Sequence, residues 1–131
     1  LWNVLEHVGE WRPVIDEALR VLRPGGKIHL VCPNYLPPRI EPHYHVMWAP
    51  LMPKKLGEIY LRLRKRDPDY FLRHIHYTTN VGVLRYLSAK GFQCVHPRLA
   101  NSESASLLKS SFYKAWLWNP LKPSVSFVAS N

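Results

Sequence analysis

The stretch VLRPGGKIHLVC, residues 21–32, contains the end of a helix, a tight turn and a strand. Pro24 cannot continue a helix, and Gly25 and Gly26 tolerate the left-handed backbone that redirects the chain. The apolar, β-rich run at 27–32 predicts a buried strand. This order of helix, turn and strand is typical of α/β proteins.

Further elements flank this unit on both sides. Apolar residues recur at helical spacing from Pro13 to Leu22, and proline suits a first helical turn. A Thr-Thr-Asn cluster at 78–80 predicts the start of a helix that Gly91 ends, so a second helix–glycine–strand unit follows. The predicted elements are a buried strand running out into a loop over 1–8, helices over 13–22, 54–66, 80–90 and 101–118, and strands over 27–32, 92–95 and 124–128.

The middle of the chain is rich in proline and then in basic residues. Six prolines between 33 and 53 exclude a long helix or a central strand and predict an ordered cap, which we place within residues 33–76. The helix over 54–66 has many Lys and Arg residues against a single acid, Glu58. Its apolar stripe, expected to pack on the cap while the cations face water, consists of Leu56, Ile59, Tyr60 and Leu63.

The composition is that of a folded domain with an excess of positive charge. The 131 residues are 47% hydrophobic and 21% charged, which excludes a disordered chain and a second domain of ordinary size. The net charge of +9 favours acidic partners, anionic lipid or nucleic acid. No recognisable base-reading motif accompanies that charge, so we do not expect nucleic acid to be a partner.

Localisation and metal content are predicted from motifs that the sequence lacks. Without a secretory signal or a run of about 18 apolar residues, the expected location is cytoplasmic. Two cysteines, Cys32 and Cys94, are too few for a disulfide framework or a zinc site, and both are predicted to be buried thiols. Two His-x-His pairs, at 43–45 and 74–76, lack a third ligand at suitable spacing, so no metal site is predicted.

Three segments occur in the order of a known enzyme family: Asn3-Val-Leu-Glu-His-Val8, Arg20-Val-Leu-Arg-Pro-Gly-Gly26, and the strand that leads into Pro33-Asn34. In this order they resemble the class I S-adenosylmethionine-dependent methyltransferases, in particular the type 11-like group that acts on small molecules. This resemblance implies an α/β fold with a Rossmann-like sheet and flanking helices, interrupted by the proline-rich cap insertion.

The resemblance covers the C-terminal half of such a domain. The helix to Lys90, the strand after Gly91 and residues 124–130 resemble the family's final helix, sixth strand and antiparallel seventh strand. The family's glycine-rich cofactor loop has no counterpart, since no two glycines have the Gly-x-Gly spacing. We therefore expect residues 1–131 to be the C-terminal part of one methyltransferase domain, which by itself binds the cofactor poorly and is inactive.

The same resemblance implies the site residues. It places the end of the family's fourth strand at the beginning of this chain, beside S-adenosylmethionine, and the acceptor pocket in the cap. Ligands of open α/β sheets bind outside the carboxyl ends of strands, so residues just after the 27–32 strand are also candidates. The predicted catalytic residues are His7 and His43, the cofactor-binding residues Asn3, Leu5 and Glu6, and the substrate-binding residues Asn34, Tyr35, Glu41 and Tyr44.

Each of these assignments has a structural alternative. Glu6 would instead cap the following helix, His7 would pack beneath that helix, and the polar groups of the cap would satisfy their own backbone. For the whole chain, methyl transfer to a small-molecule, lipid-linked or glycan acceptor stands against a non-catalytic basic binding module. Such a module would dock an acidic partner or an anionic membrane through the 54–66 helix. The sequence does not determine the oligomeric state.

Overall fold

A computed structural model describes residues 1–95, 115, 118–121 and 124–130. The predicted helix over 101–118 lies almost entirely outside these residues. After a 3₁₀ turn at Leu5–His7, the elements in chain order are α1 (Trp11–Arg20), β1 (Lys27–Pro33), β2 (Arg39–Glu41), β3 (Val46–Trp48), α2 (Lys54–Leu63), α3 (Asp69–His74), α4 (Asn80–Ala89), β4 (Gln93–Val95) and β5 (Ser124–Ser130).

The larger sheet has the strand order β1-β5-β4. β5 is antiparallel to both neighbours, pairing Lys27 with Ser130 on one side and Gln93 with Ser130 on the other. β1 and β4 therefore run in the same direction, with β5 inserted between them. The mixed α/β class and the antiparallel last strand are confirmed.

The sheet differs from the predicted Rossmann-like one in its pairing. In the described part of the chain, the strand pairs are antiparallel, and parallel pairing is limited to one bridge between Trp2 and Val31. Residues 1–8 do not form the predicted buried strand, since Trp2 is 68% exposed and the chain enters a 3₁₀ turn at Leu5. The reason is that no further described strand packs on the outer side of Trp2.

One hydrophobic core lies between the larger sheet and the helices α1 and α4. Its buried side chains come from the 3₁₀ turn, α1, β1, α4 and β5 and include Leu5, Ile15, Leu30, Leu84 and Leu87. α1 begins two residues before the predicted start, which puts Pro13 at its third position, where the missing N–H is still without an intrahelical partner. The predicted cap of α4 is confirmed, because the Thr79 side chain accepts from the Gly82 amide at 3.1 Å.

The segment after β1 forms a second core of its own. β2 and β3 pair as a short antiparallel hairpin, and this hairpin packs with α2 and α3 around Trp48, Leu61 and Phe71. The prolines do exclude a long helix and a central strand here, as predicted. The hairpin itself was not predicted, because strands of three residues give too short a pattern to recognise.

The buried face of α2 is not the predicted one. Of the predicted stripe, Tyr60 is half-buried and packs on the second core, but Leu56, Ile59 and Leu63 are exposed. Gly57 and Leu61 are buried in their place. Gly57 lets the helix approach the rings of Phe71 and Trp48 closely, so packing selects the face that carries the glycine. α2 also ends at Leu63 and not at residue 66, because Lys65 adopts a left-handed φ of 55°.

The two cysteines differ in burial. Cys32 is buried as predicted, while Cys94 is only partly buried and packs at the edge of the first core. In the described ranges, no helix has the length and apolar character needed to cross a bilayer.

Candidate functional site

The candidate site lies at the edge of the sheet where two neighbouring segments end. Because Trp2 pairs with Val31 in parallel, the chain leaves the sheet at the same edge after Trp2 and after Pro33. The Asn3 amide donates to the Val31 carbonyl at 2.8 Å, which fixes the start of the loop that carries the 3₁₀ turn. Carboxyl ends of strands are where open α/β sheets bind ligands.

Glu6 is a buried carboxylate that lacks a full set of hydrogen-bond partners. The residue is 1% exposed, and its Oε2 has no hydrogen bond to any described residue. Burial raises the pKa of this carboxyl, and a backbone hydrogen bond and the charge of Arg39 oppose that shift. Since buried carboxylate oxygens are normally hydrogen-bonded, one without a described partner at a strand-end edge marks a candidate functional group.

The structural alternative for Glu6 is wrong. The residue before α1 is Glu10, and no side chain caps that helix. The Glu6 backbone carbonyl instead accepts from the His76 amide at 2.7 Å, which ties the 3₁₀ turn to the segment after α3. Contact between the Glu6 carboxylate and a ligand requires the surrounding side chains to move, because so little of it is exposed.

Glu41 and His43 form an oriented carboxylate–imidazole pair in the cap. Glu41 Oε1 lies 2.8 Å from His43 Nδ1 and accepts from the Tyr35 hydroxyl at 3.1 Å. Its Oε2 accepts from the His43 and Tyr44 amides at 2.7 and 2.9 Å. Because a carboxylate only accepts, the proton of the neutral His43 ring is on Nδ1, and in that tautomer Nε2 has the lone pair of a base.

His7 has the same tautomer as His43 for a related reason. Its Nδ1 lies 3.0 Å from the His74 carbonyl oxygen, which can only accept, so the His7 Nε2 is also unprotonated in the neutral ring. The His7 and His43 rings meet edge to face with their centroids 5.4 Å apart. The Tyr70 ring lies against both imidazoles, with centroids 6.2 Å from His7 and 5.2 Å from His43.

An open cleft adjoins this pair. It has a volume of about 360 Å³, which is within the range of small-molecule sites. Its lining combines imidazole, phenol, guanidinium and carboxylate groups, from His43, Tyr44, His45, Arg66, Asp67 and Tyr70. Both anionic and cationic groups of a ligand could form ion pairs here, with Arg66 and Asp67 respectively.

Several predicted site residues have structural roles, and one of them, Tyr44, also lines the cleft. Leu5 is in the first core. Asn34 is buried, and its side chain donates to Asn80 Oδ1 at 3.1 Å and to the Pro120 carbonyl at 2.9 Å. Tyr35 is buried, and burial together with the Glu41 charge raises its pKa, which keeps its hydroxyl a donor. The Tyr44 hydroxyl accepts from the Phe71 amide at 2.9 Å while its ring lines the cleft.

The structure therefore brings together four of the predicted residues and adds two. Glu6, His7, Glu41 and His43 form one cluster, while Asn3 is exposed at the neighbouring strand end. Sequence reasoning missed Arg39 and Tyr70. Neither belongs to a spacing pattern that points to a site. The folding of α3 places Tyr70 beside both imidazoles, and β2 carries Arg39, whose charge opposes the rise in the pKa of Glu6. Within the described residues, no three histidine, cysteine or acidic side chains group as a metal site.

Comparisons with known proteins give one partial similarity. Over 48 residues, or 34% of this chain, the sequence is 44% identical to the uncharacterized protein Rv1509 of Mycobacterium tuberculosis and to its counterpart MT1557 in the CDC 1551 strain. The match spans only 15% of the length of these relatives. No protein-family model matches the chain, and no solved structure does. Neither a family nor an activity follows from the similarity.

Proposed function

We propose that this chain is the C-terminal, acceptor-side part of a class I S-adenosylmethionine-dependent methyltransferase. The observation on which the proposal depends is the clustering of Glu6 and His7 with the Glu41–His43 pair at the strand-end edge. The strand arrangement supports it: β5 is antiparallel between two strands of common direction, and Trp2 adds a parallel bridge on the outer side of β1. An antiparallel strand over residues 124–130 is what the resemblance implies for the family's seventh strand.

The residues at the edge fit the cofactor chemically. S-adenosylmethionine has an ammonium group and ribose hydroxyls, which are donors, and Glu6 Oε2 is an acceptor without a donor among the described residues. Asn3, which is exposed three residues earlier in the chain, has a side-chain amide that both donates and accepts. When bound, the cofactor supplies a methyl group activated by a sulfonium.

The chain's own residues would remove the proton of the acceptor and exclude water from it. The Nε2 of His43 would take the proton of an acceptor hydroxyl, and the buried Glu41 would stabilise the resulting imidazolium, as the carboxylate of a catalytic triad does. The aromatic ring of Tyr70 over both imidazoles would exclude water from that side. His7, with its own free Nε2, is the second candidate base.

A non-catalytic binding module is the second candidate function. The basic face of α2 favours this function, but a binding module assigns no role to the unsatisfied Glu6 Oε2 or to the oriented His43. An upstream coding sequence that contains a Gly-x-Gly loop after a strand and an acidic residue after the next strand would favour the enzyme.

Calorimetric titration with S-adenosylmethionine tests the proposal. The full-length protein that carries this chain should bind the cofactor, and Glu6→Gln should weaken binding by about tenfold, the loss of one charged hydrogen bond. Glu10→Gln is the matched control, since the Glu10 side chain is exposed and four residues away. If the full-length protein does not bind the cofactor, the methyltransferase proposal is wrong.

A further inference from the structure

The exposed face of α2 is apolar along one line. Leu56, Ile59 and Leu63 are 57%, 56% and 77% exposed. Their spacing of three and four residues puts them on one side of the helix. Three large aliphatic side chains in line on a surface helix are more than the scattered apolar residues that folded proteins normally expose.

Cations flank this line. Lys55 and Arg62 are respectively four residues before and three residues after Ile59, which makes both of them its neighbours on the helix surface. Arg64, Lys65 and Arg66 follow directly and are exposed as well. The acid of the helix, Glu58, is paired with Arg62 at 3.0 Å.

An apolar groove lies beside the helix. It has a volume of about 370 Å³ between the β2–β3 hairpin and α2, and its lining includes Pro38, Met47, Met52 and Tyr60. Met47 and its cross-strand partner Ile40 are both exposed on the hairpin. The apolar surface therefore extends from α2 to the hairpin.

We propose that α2 docks this protein on an anionic lipid bilayer, with Leu56, Ile59 and Leu63 inserted among the acyl chains and the flanking cations on the lipid phosphates. Charge selects this occupant, because an apolar line bordered by Lys and Arg combines the two signals that reversible membrane binding requires. The +9 net charge of the chain adds long-range attraction to an anionic surface.

Docking in this orientation has a consequence for the candidate site. Arg66 and Asp67, three and four residues after the end of α2, line the cleft beside His43. The cleft would therefore lie near the lipid surface. The inference itself is independent of methyl transfer, because vesicle binding and cofactor binding are measured separately.

Flotation of the full-length protein with lipid vesicles tests the proposal. The protein should float with phosphatidylcholine vesicles that contain phosphatidylglycerol and should float much less with phosphatidylcholine alone. Added salt should weaken the binding, because it screens the cations. Absence of binding, or equal binding to both kinds of vesicle, would overturn the proposal.

Matched variants separate the helix from other exposed surfaces. The double variant Ile59→Ser, Leu63→Ser should reduce vesicle binding by about tenfold or more, because it removes two inserted side chains. Val21→Ser is the control, since Val21 is exposed at the end of α1 and distant from this line in sequence. Lys55→Gln should remove part of the preference for anionic vesicles, and Arg23→Gln should not.

The same variants test whether another partner binds the exposed face of α2. All the changed residues are exposed, so thermal melting should show unchanged folding. If Ile59→Ser, Leu63→Ser leaves vesicle binding intact but converts a dimer to a monomer in size-exclusion chromatography, the surface belongs to a second copy of the chain. If the protein binds polyglutamate but no vesicles, the partner is an acidic polypeptide. Either result contradicts the membrane proposal.

Discussion

A β carbon added to Gly57 would lie 2.6 Å from Cε1 of Phe71, closer than two non-bonded carbon atoms can approach. The same added atom would lie 3.1 Å from the Trp48 ring. This contact decides which face of α2 is buried. It also leaves the opposite, aliphatic face in solvent.

Replacing Gly57 with alanine should destabilise the protein. Alanine is favoured over glycine in a helix by about 1 kcal/mol. Overpacking a core typically costs about 1–3 kcal/mol, and the buried Phe71 ring has little room to move. We therefore expect a net loss in the free energy of unfolding, measured by urea denaturation. Ser88→Ala, at an exposed position of α4, should be neutral or slightly stabilising, and a similar result for Gly57→Ala would contradict the packing described here.

Glu6 should make stability depend on pH in a defined direction. Burial raises its pKa in the folded state, so the folded protein binds the proton more tightly than the unfolded chain. The resulting stabilisation is fully present below about pH 4, where the unfolded carboxyl is protonated, and it is lost as the pH rises through the raised pKa. Relative to Glu6→Gln, the wild-type Tm should therefore fall as the pH increases.

The control for this titration is Glu10→Gln. Because the Glu10 side chain is exposed, the difference in Tm between this variant and the wild type should not change with pH. Melting temperatures measured at several pH values between about 3 and 8 cover the range in which a carboxyl with a raised pKa titrates. A wild-type Tm that rises with pH relative to Glu6→Gln would show that the carboxylate is stabilised by partners in the folded state.

The oriented His43 should matter for turnover, if the proposed methyl transfer is correct. Removing a general base typically lowers kcat by about a hundredfold to ten-thousandfold, so His43→Ala should do so with little change in cofactor affinity. Glu41→Gln should also lower kcat, because the amide no longer stabilises the imidazolium. His45→Ala, also in the cleft, is the matched control. If His7→Ala lowers kcat and His43→Ala does not, His7 is the base.

Cys94 should react slowly with thiol reagents despite being only partly buried. Burial raises the pKa of its thiol to about 11, so only about one thiol in a thousand is ionised at pH 8. Alkylation by iodoacetamide should therefore be slow at pH 8 in the native protein and fast in denaturant. Rapid native labelling, located by mass spectrometry, would show that Cys94 is not in the environment described here.

Much of the secondary structure could be predicted from local sequence. The Pro24-Gly25-Gly26 turn, the Thr79 cap and the β-rich run at β1 each depend on residues close in sequence, whose backbone preferences act wherever the segment is placed. Predicted helix ends were less accurate. α1 begins earlier and α2 ends earlier than their apolar patterns indicated, because helix ends are set by hydrogen bonds and left-handed residues that periodicity does not reveal.

The candidate site was predicted in part. Glu6, His7, Glu41 and His43 were singled out from the sequence, and the structure places them in one cluster. Asn34 was also singled out, yet its amide links β1 to α4. A polar residue after a strand can bind a ligand or link two elements of the fold, and only its hydrogen-bond partners distinguish these roles.

The sequence by itself determined the α/β class, the order of α1, β1, α2, α4, β4 and β5, and the polar residues available at the strand ends, because these depend on local backbone preferences and on composition. The tertiary structure decided which side of α2 is exposed and which polar groups meet. Those outcomes depend on contacts between residues distant in sequence, such as Gly57 with Phe71 and His7 with His43. No local pattern encodes such contacts, since the free energy that selects them arises only when the elements pack.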